Sequence, residues 1–170
     1  MLRIGSSVVC VLGLLAVVVL AGQVHAEDKG ESRKEMALKN RSKAPAAADI
    51  DAAITIDALL NAKSATDLSA AKAATIEGVV IMVEREEDND FHIVVAPPGG
   101  ETNTTKWVIV EATPGWRKTN KHLVPTALKK LRGHTIRATG WLYHEPDNDD
   151  PDPRGTLWEI HPVTDIVIVS

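Results

Sequence analysis

Residues 154–169 read RGTLWEIHPVTDIVIV, and this stretch decides the fold that the sequence predicts. It is strand-like because β-branched and aromatic residues recur along it. Side chains of a strand alternate between two faces, so Glu159 and His161 share one face while Trp158 and Ile160 share the other. An exposed apolar strand at a sheet edge would invite aggregation. The run is therefore predicted to be the closing strand of a sheet or barrel.

Pro162 interrupts this run, because proline has no N–H to donate to a strand ladder. β-branched residues resume after it, from Val163 to Val169. We therefore expect a break or bulge at Pro162, within one long strand or between two shorter ones.

Hydrophobic alternation and turn residues divide the preceding part of the domain into four further strands and a helix. The helix is predicted at residues 125–132, because proline is tolerated in a first helical turn and Gly133 ends the pattern. The strands are predicted at residues 75–85, 91–96, 106–112 and 134–144. A helix between the third and fourth strands is the order of an OB-fold. An SH3-like barrel needs no helix there, so we predict a mainly β, five-stranded OB-fold barrel.

Residues 1–26 have the pattern of a signal peptide. Arg3 is the only charged residue before Glu27, an apolar run follows it, and Val24-His25-Ala26 fits a small-x-small cleavage site. We expect cleavage there and a periplasmic or secreted protein with no membrane span after cleavage. The alternative is an uncleaved membrane anchor, because residues 4–26 carry no charge and are long enough to span a bilayer.

Two segments separate the signal peptide from the barrel. Residues 27–48 are polar and mixed in charge, without aromatic or β-branched side chains, and are predicted to be a flexible linker. Residues 49–74 are rich in alanine and are predicted to form a short helical segment, with one helix near residues 56–62 packed on the barrel. Residues 75–170 make up the predicted OB-fold barrel.

Charge and cysteine content exclude several classes of function. The 170-residue chain has a net charge of −4, and loss of Arg3 with a cleaved signal would make it more acidic. Nucleic-acid binding needs a basic surface, so this balance disfavours a nucleic-acid partner. Cys10 is the single cysteine and lies in the apolar run, so the mature chain would have no disulfide, thiolate ligand or cysteine nucleophile.

We expect the protein to be a monomer.

Parts of the sequence resemble a group of small exported bacterial OB-fold proteins, many of them uncharacterised. The most specific piece is Trp-Glu-Ile-His-Pro within residues 155–164 (GTLWEIHPVT). The other matching pieces are residues 90–95 (DFHIVV), the strand end Val110-Glu111, and residues 139–143 (TGWLY). The resemblance covers about residues 75–169 and implies an OB-fold barrel. It implies no established activity, so no catalytic residue is carried over from it.

Four titratable residues in the predicted strands carry the first functional hypothesis. They are His92, Glu111, Glu159 and His161. If the second, third and fifth strands bring them together, two imidazoles and two carboxylates form a donor set that suits zinc or another divalent ion. The same groups could act as acid and base around a bound water. The alternative is structural, with the histidines satisfied by hydrogen bonds to the carboxylates or the backbone.

Tryptophans and basic residues carry a second hypothesis. OB-folds bind oligomeric ligands by stacking them on aromatic side chains of strands two and three and the adjacent loops. Trp116 is expected to be exposed, whereas Trp141 and Trp158 are expected to lie in the core. The predicted surface for an oligomeric or anionic ligand consists of Trp107, Trp116, Arg117, Lys118 and Lys121. The alternative is a solvated loop and helix face.

The sequence thus predicts an exported OB-fold binding module of unknown ligand, with a non-catalytic role favoured over catalysis. The ligand would be an oligomeric or anionic molecule, or a protein partner. The alternative function is a metal-dependent hydrolase that uses the histidine and glutamate cluster. A purely structural domain is a third reading. The sequence requires no cofactor, and zinc is the metal that the cluster would suit.

Overall fold

Five strands form a closed barrel in the order β1-β2-β3-β5-β4. They are β1 (Ala73–Arg85), β2 (Phe91–Ala96), β3 (Val108–Ala112), β4 (Thr135–His144) and β5 (Trp158–Ile168). β3 and β5 pair in parallel, and the other neighbouring strands pair antiparallel. Helical residues lie between β3 and β4. This topology is that of an OB-fold, and the predicted fold class is confirmed.

The structure is a computed structural model that describes residues 33–145 and 154–170, both within one unit of residues 31–170. The predicted signal peptide lies outside the described residues. The described α-helices are α1 (Arg33–Lys39), α2 (Ile56–Asn61), α3 (Pro114–Thr119) and α4 (Pro125–Leu128). In the two described ranges, none of the helices combines the length and the apolar character that a membrane crossing requires.

β5 alternates as the sequence predicts. Trp158 and Ile160 belong to the hydrophobic core. Glu159 and His161 point the other way and contact each other on the outer face of the barrel. The same strand therefore supplies apolar surface to the inside and charged groups to the outside.

Pro162 coincides with a local irregularity in the pairing of β4 with β5. The register of the two strands shifts on both sides of Gly140. A Cβ atom at Gly140 would lie 2.5 Å from the Pro162 carbonyl oxygen and 2.5 Å from the Ile160 side chain. Only glycine leaves room for this close crossing of the two strands.

The hydrophobic core is formed by inward-facing strand residues together with α2. Ile93 of β2 and Val110 of β3 are fully buried in it, as is Leu59 of α2. Burial of one such side chain stabilises the folded state by about 1.5–3 kcal/mol. α2 begins where expected because the Thr55 hydroxyl accepts a hydrogen bond from the Ala58 N–H at 3.2 Å and caps the helix.

The predicted flexible linker, residues 27–48, needs correction in its described part. It contains α1, and the chain that follows α1 lies against the barrel. The indole N–H of Trp116 donates to the carbonyl of Arg41 at 2.7 Å, and the indole N–H of Trp141 donates to the carbonyl of Lys43 at 2.8 Å. The segment is held by donors far away in the sequence, which its own composition does not reveal.

The helices between β3 and β4 also differ from the prediction. α3 follows the end of β3 and is not among the predicted helices; it starts at Pro114, because proline is accepted in the first helical turn, where an N–H would have no helical partner. α4 ends at Leu128, so the predicted helix over residues 125–132 is shorter than expected. Leu128 itself is fully buried, which anchors the short helix to the core.

Candidate functional site

The four titratable residues of the first hypothesis lie together on the outer face of the barrel. Their neighbours Ile93, Val110 and Ile160 face the core, so strand alternation directs the intervening side chains outward. The β2–β3 register sets His92 opposite Glu111. We call the whole group the outer-face cluster; it consists of Asp90, His92, Glu111, Arg154, Glu159 and His161.

Glu111 is the centre of the outer-face cluster, because each of its carboxylate oxygens contacts a different imidazole. Its Oε1 lies 2.6 Å from Nε2 of His92, and its Oε2 lies 2.6 Å from Nδ1 of His161. The side chain of Glu111 is buried, as is that of His161, whereas His92 is about a quarter exposed at 27%. A single carboxylate thus joins β2 to β5 through β3.

Glu159 extends the outer-face cluster on the other side of His161. Its Oε1 lies 3.0 Å from Nδ1 of His161, and its Oε2 accepts a hydrogen bond from Nη1 of Arg154 at 2.9 Å. The side chains of Arg154 and Glu159 are 6% and 1% exposed. Because Nδ1 of His161 is shared by two carboxylates, the orientation of this imidazole ring is fixed.

Asp90, like Arg154, is a member of the outer-face cluster that the sequence does not predict. It immediately precedes β2, is buried, and brings Oδ2 within 3.9 Å of Nε2 of His161. Asp90, Glu111 and His161 each offer one ligand atom, and these three atoms lie within 4.8 Å of one another. Asp90 has the same strand parity as His92, so alternation extended by one step beyond the strand would have found it.

The carboxylates raise the pKa of both histidines. Burial alone would lower the pKa of His92, but the hydrogen bond and charge of Glu111 outweigh it and raise that pKa to about 9. Burial also opposes the charged form of His161, yet the hydrogen bonds that it donates to Glu111 and Glu159 raise its pKa to about 10. Both imidazoles are therefore protonated on both ring nitrogens, and so positively charged, at neutral pH when only protein groups surround them.

The three carboxyl groups respond differently to the same burial. Burial opposes ionisation of Glu111, but the hydrogen bonds from His161 and His92 outweigh it and lower its pKa. Burial and the charge of Glu111 raise the pKa of Glu159, against the opposing effects of His161 and Arg154. Burial, with the charges of Asp88 and Glu111, raises the pKa of Asp90 to about 6. Negative charge is concentrated on Glu111, at the centre.

Side chains from β4 and α1 cover the outer-face cluster. The ring of Tyr143 meets the imidazole of His161 edge-on, with 5.7 Å between ring centroids. Above it, Nζ of Lys39 lies 5.2 Å from the Tyr143 ring centroid and 3.2 Å from Oε2 of Glu145. These layers explain why charged groups on the outside of the barrel are nevertheless buried.

The second predicted surface is not brought together by the fold. Trp107 precedes β3 and donates its indole N–H to the carbonyl of Glu101 at 3.2 Å. Trp116 follows β3, is partly buried against the core, and lies at the other end of the strand. Arg117 stacks on the ring of Phe91 at 4.8 Å. The remaining predicted members are exposed: Lys118 and Lys121.

Two expectations about tryptophan burial are corrected. Trp141 was expected in the core, but Leu142 takes the inward position on β4, so Trp141 faces outward and is only partly buried. Trp116 was expected to be exposed, but its ring packs against the core and its N–H bonds to Arg41. Trp158 lies in the core as expected.

Comparisons with known proteins add little. No family model and no curated protein matches the chain. Among solved structures, it is similar to asparaginyl-tRNA synthetase of Entamoeba histolytica in complex with asparaginyl-adenylate, with a TM-score of 0.38, 14% identity, and coverage of 58% of this chain and 21% of that chain. Another structure of the same enzyme gives a TM-score of 0.39, 13% identity and the same coverages of 58% and 21%. Likeness at this level carries no argument about function.

Proposed function

We propose that this chain is an exported, non-catalytic OB-fold domain that binds a divalent transition-metal ion of the zinc class at the outer-face cluster. Asp90, Glu111 and His161 are the ligands in this proposal. Glu111 would turn one oxygen from the Nδ1–H of His161 to the ion, and Glu159 would remain the acceptor of that N–H. The observation that carries it is the setting of His161, whose Nδ1 is held by two carboxylates while Nε2 points towards Asp90.

The distance between His161 and Asp90 supports this assignment. At 3.9 Å, Nε2 of His161 and Oδ2 of Asp90 are too far apart for a direct hydrogen bond. Two ligand atoms that each lie about 2.0–2.2 Å from one zinc ion are about 3.4 Å apart in a tetrahedral site. A shift of a few tenths of an ångström would therefore let one ion join the two groups.

The surroundings of His161 also have the form of a metal site. Metal-ligating histidines almost always donate their second ring N–H to a carboxylate or a carbonyl, which fixes the ring and its tautomer. In the outer-face cluster, Glu159 accepts from Nδ1 of His161 and is itself held by Arg154. Because Nδ1 is held by a carboxylate, the Nε2 proton of His161 is the one that an ion on the Asp90 side would displace.

Electrostatics favours a cation at this place. Three carboxyl groups, those of Asp90, Glu111 and Glu159, are buried close together. Buried charges are unfavourable unless they are paired or coordinate a metal. A divalent ion beside Asp90 and Glu111 would supply two positive charges next to Asp90, whose ionised form is disfavoured first by burial and then by the charges of Asp88 and Glu111.

Burial favours metal binding over the alternative function, a metal-dependent hydrolase. A catalytic zinc ion keeps one coordination position open to water or substrate, whereas a structural or storage site is closed by the protein. Asp90, Glu111 and His161 are 8%, 6% and 3% exposed, and Tyr143 packs against the last of them. These groups offer a substrate little access.

Metal uptake by the purified chain tests the proposal. After dialysis against a chelator, the protein is titrated calorimetrically with zinc, and the expected result is one tightly bound ion per chain. His161→Gln and Asp90→Asn should each lower the affinity by at least about 100-fold. His122→Gln is the matched control, because His122 is an exposed histidine whose Nδ1 lies 3.7 Å from the exposed carboxylate of Asp165, and it should leave binding unchanged. Equal affinity of all four proteins would overturn the assignment.

The exported location rests on a separate observation, the charge-free apolar run that ends at Ala26. Expression of the whole chain in a bacterium, followed by N-terminal sequencing of the protein recovered from the periplasm, tests it. The expected first residue is Glu27. Recovery of the intact chain from the membrane fraction would favour the uncleaved anchor instead.

A further inference from the structure

The segment Lys39–Lys43 (KNRSK), which we call the basic segment, lies along the outer face of β4. Its basic side chains lie over the outward-facing aromatic rings of that strand. Lys39 lies over Tyr143, and two residues later Arg41 lies over Trp141, with its guanidinium carbon 4.2 Å from the ring centroid. The basic segment therefore runs antiparallel to β4 and places cations on successive outward-facing rings.

The main chain of the basic segment is also held, by two indole donors. Trp141 donates to the carbonyl of Lys43 at 2.8 Å, and Trp116 donates to the carbonyl of Arg41 at 2.7 Å. Glu145 adds a carboxylate 3.2 Å from the ammonium of Lys39. We call the receiving surface the aromatic face; it consists of Trp116, Trp141, Tyr143 and Glu145.

These contacts differ from those that hold a core. The basic segment has no apolar side chain, and Asn40, Ser42 and Lys43 are exposed. Among the contacts described above, the aromatic face meets two backbone carbonyls and two cations at alternate positions. Backbone hydrogen bonds of this kind accept many sequences, while cation–π contacts select Lys or Arg at set positions. The aromatic face thus has the chemistry of a peptide-recognition surface.

We propose that the aromatic face binds basic polypeptide segments that carry Lys or Arg at alternate positions, and that the chain's own basic segment is its resident occupant. A basic segment of a partner polypeptide is bound when it displaces this occupant. This activity uses other groups than metal binding: the contacts between the basic segment and the aromatic face involve none of the proposed ligands, although Tyr143 also packs edge-on against His161.

A competition experiment on the full chain tests this proposal. The Lys39→Ala/Arg41→Ala double variant weakens the resident occupant and leaves every residue of the aromatic face in place. A fluorescently labelled peptide with the sequence of residues 36–46 is titrated with parent and variant, and polarisation is recorded. Because an occupied site lowers apparent affinity in proportion to the open fraction, the variant should bind the peptide at least about tenfold more tightly than the parent.

Two controls keep the result specific. A peptide with glutamate at the positions of Lys39, Arg41 and Lys43 should not bind the double variant. Trp141→Phe, added to the double variant, keeps a ring but removes the donor to the peptide carbonyl, so it should reverse most of the gain in affinity. If the double variant does not bind the basic peptide, or binds the glutamate peptide equally well, the aromatic face serves only to hold the chain's own N-terminal segment.

Discussion

The inner and outer faces of β2, β3 and β5 are built on the same strands but by opposite chemistry. Inside, Ile93, Val110 and Ile160 pack in a core from which solvent is excluded. Outside, one residue away along each strand, Glu111 and His161 are almost as deeply buried although both are charged. The interior holds the barrel together, whereas the exterior buries charges that the barrel does not need.

We infer from this difference that the outer face carries the proposed function. Apolar burial stabilises a fold without any partner, in proportion to the area removed from water. Burial of ionised groups is at best neutral, because desolvation offsets their mutual attraction. A fold alone would be as stable with apolar residues on the outer side, so the charged cluster points to a ligand. The two faces should therefore respond differently to mutation, pH and metal.

Replacement of Glu111 should have the largest effect on stability. Glu111→Gln removes the negative charge between two protonated imidazoles and leaves His92 and His161 facing each other's charge. Breaking a buried ion pair by removal of one partner costs about 3–5 kcal/mol. Urea denaturation of parent and variant at pH 7 measures the loss in unfolding free energy. A loss below about 1 kcal/mol would mean that the outer-face cluster behaves as a solvated surface.

The stability of the metal-free chain should fall at high pH. His92 and His161 have pKa values of about 9 and about 10, above the ordinary value of 6.5, so each favours folding when protonated. Their contribution is complete below about pH 6.5 and is lost as pH rises through these values.

Denaturation curves at several pH values, recorded with a chelator present, test this dependence. Glu111→Gln supplies the comparison, because removal of the shared carboxylate should flatten the dependence between pH 6.5 and 9. An inner-face variant should shift the whole curve without changing its slope. A parent chain whose stability is constant over that interval would contradict the proposed charges of the two histidines.

Zinc should raise the unfolding free energy of the parent chain by somewhat less than Glu111→Gln lowers it. A ligand that binds only the folded state at about 100 times its dissociation constant adds about 2.7 kcal/mol of unfolding free energy. Thermal unfolding with and without zinc measures this increment. Asp90→Asn should lose most of it, whereas the metal-free stability of that variant should not fall, because the pKa of Asp90 is already raised.

The inner face should show the smallest effect and no sensitivity to metal. Ile160→Val removes one methylene group from the core, beside Glu159 and His161 in sequence but on the opposite face. Such a change typically costs about 0.5–1.5 kcal/mol. The zinc affinity of the variant, measured by the same titration as for the parent, should be unchanged. A large loss of zinc affinity would show that the two faces are coupled rather than separate.

The sequence predicts the barrel well because strand alternation and turn residues are local signals. The same alternation correctly separates Trp158 and Ile160 from Glu159 and His161. It misses Asp90, because that residue stands just before β2, where the periodic pattern has not begun. The convergence of these groups depends on strand order, which periodicity alone does not specify.

The basic segment shows the other limit of sequence reading. Its composition indicates a solvated linker, and nothing within residues 39–43 signals a partner. The donors that hold it, Trp116 and Trp141, are 75 and 98 positions away from the carbonyls they bind. Trp141 was assigned to the core by its size, although Leu142 has the inward parity on β4. Only the folded chain shows that the outward indole is used as a donor.

The X-ray absorption spectrum of the zinc-loaded chain tests the central claim most directly. We expect a first shell of nitrogen and oxygen at about 2.0–2.2 Å, with the scattering pattern of a single imidazole, because His161 is the one histidine among the proposed ligands. The His161→Gln variant should lose that imidazole signal. A shell of water oxygens alone, or one with two or more imidazoles that survives in His161→Gln, would contradict a metal site formed by Asp90, Glu111 and His161.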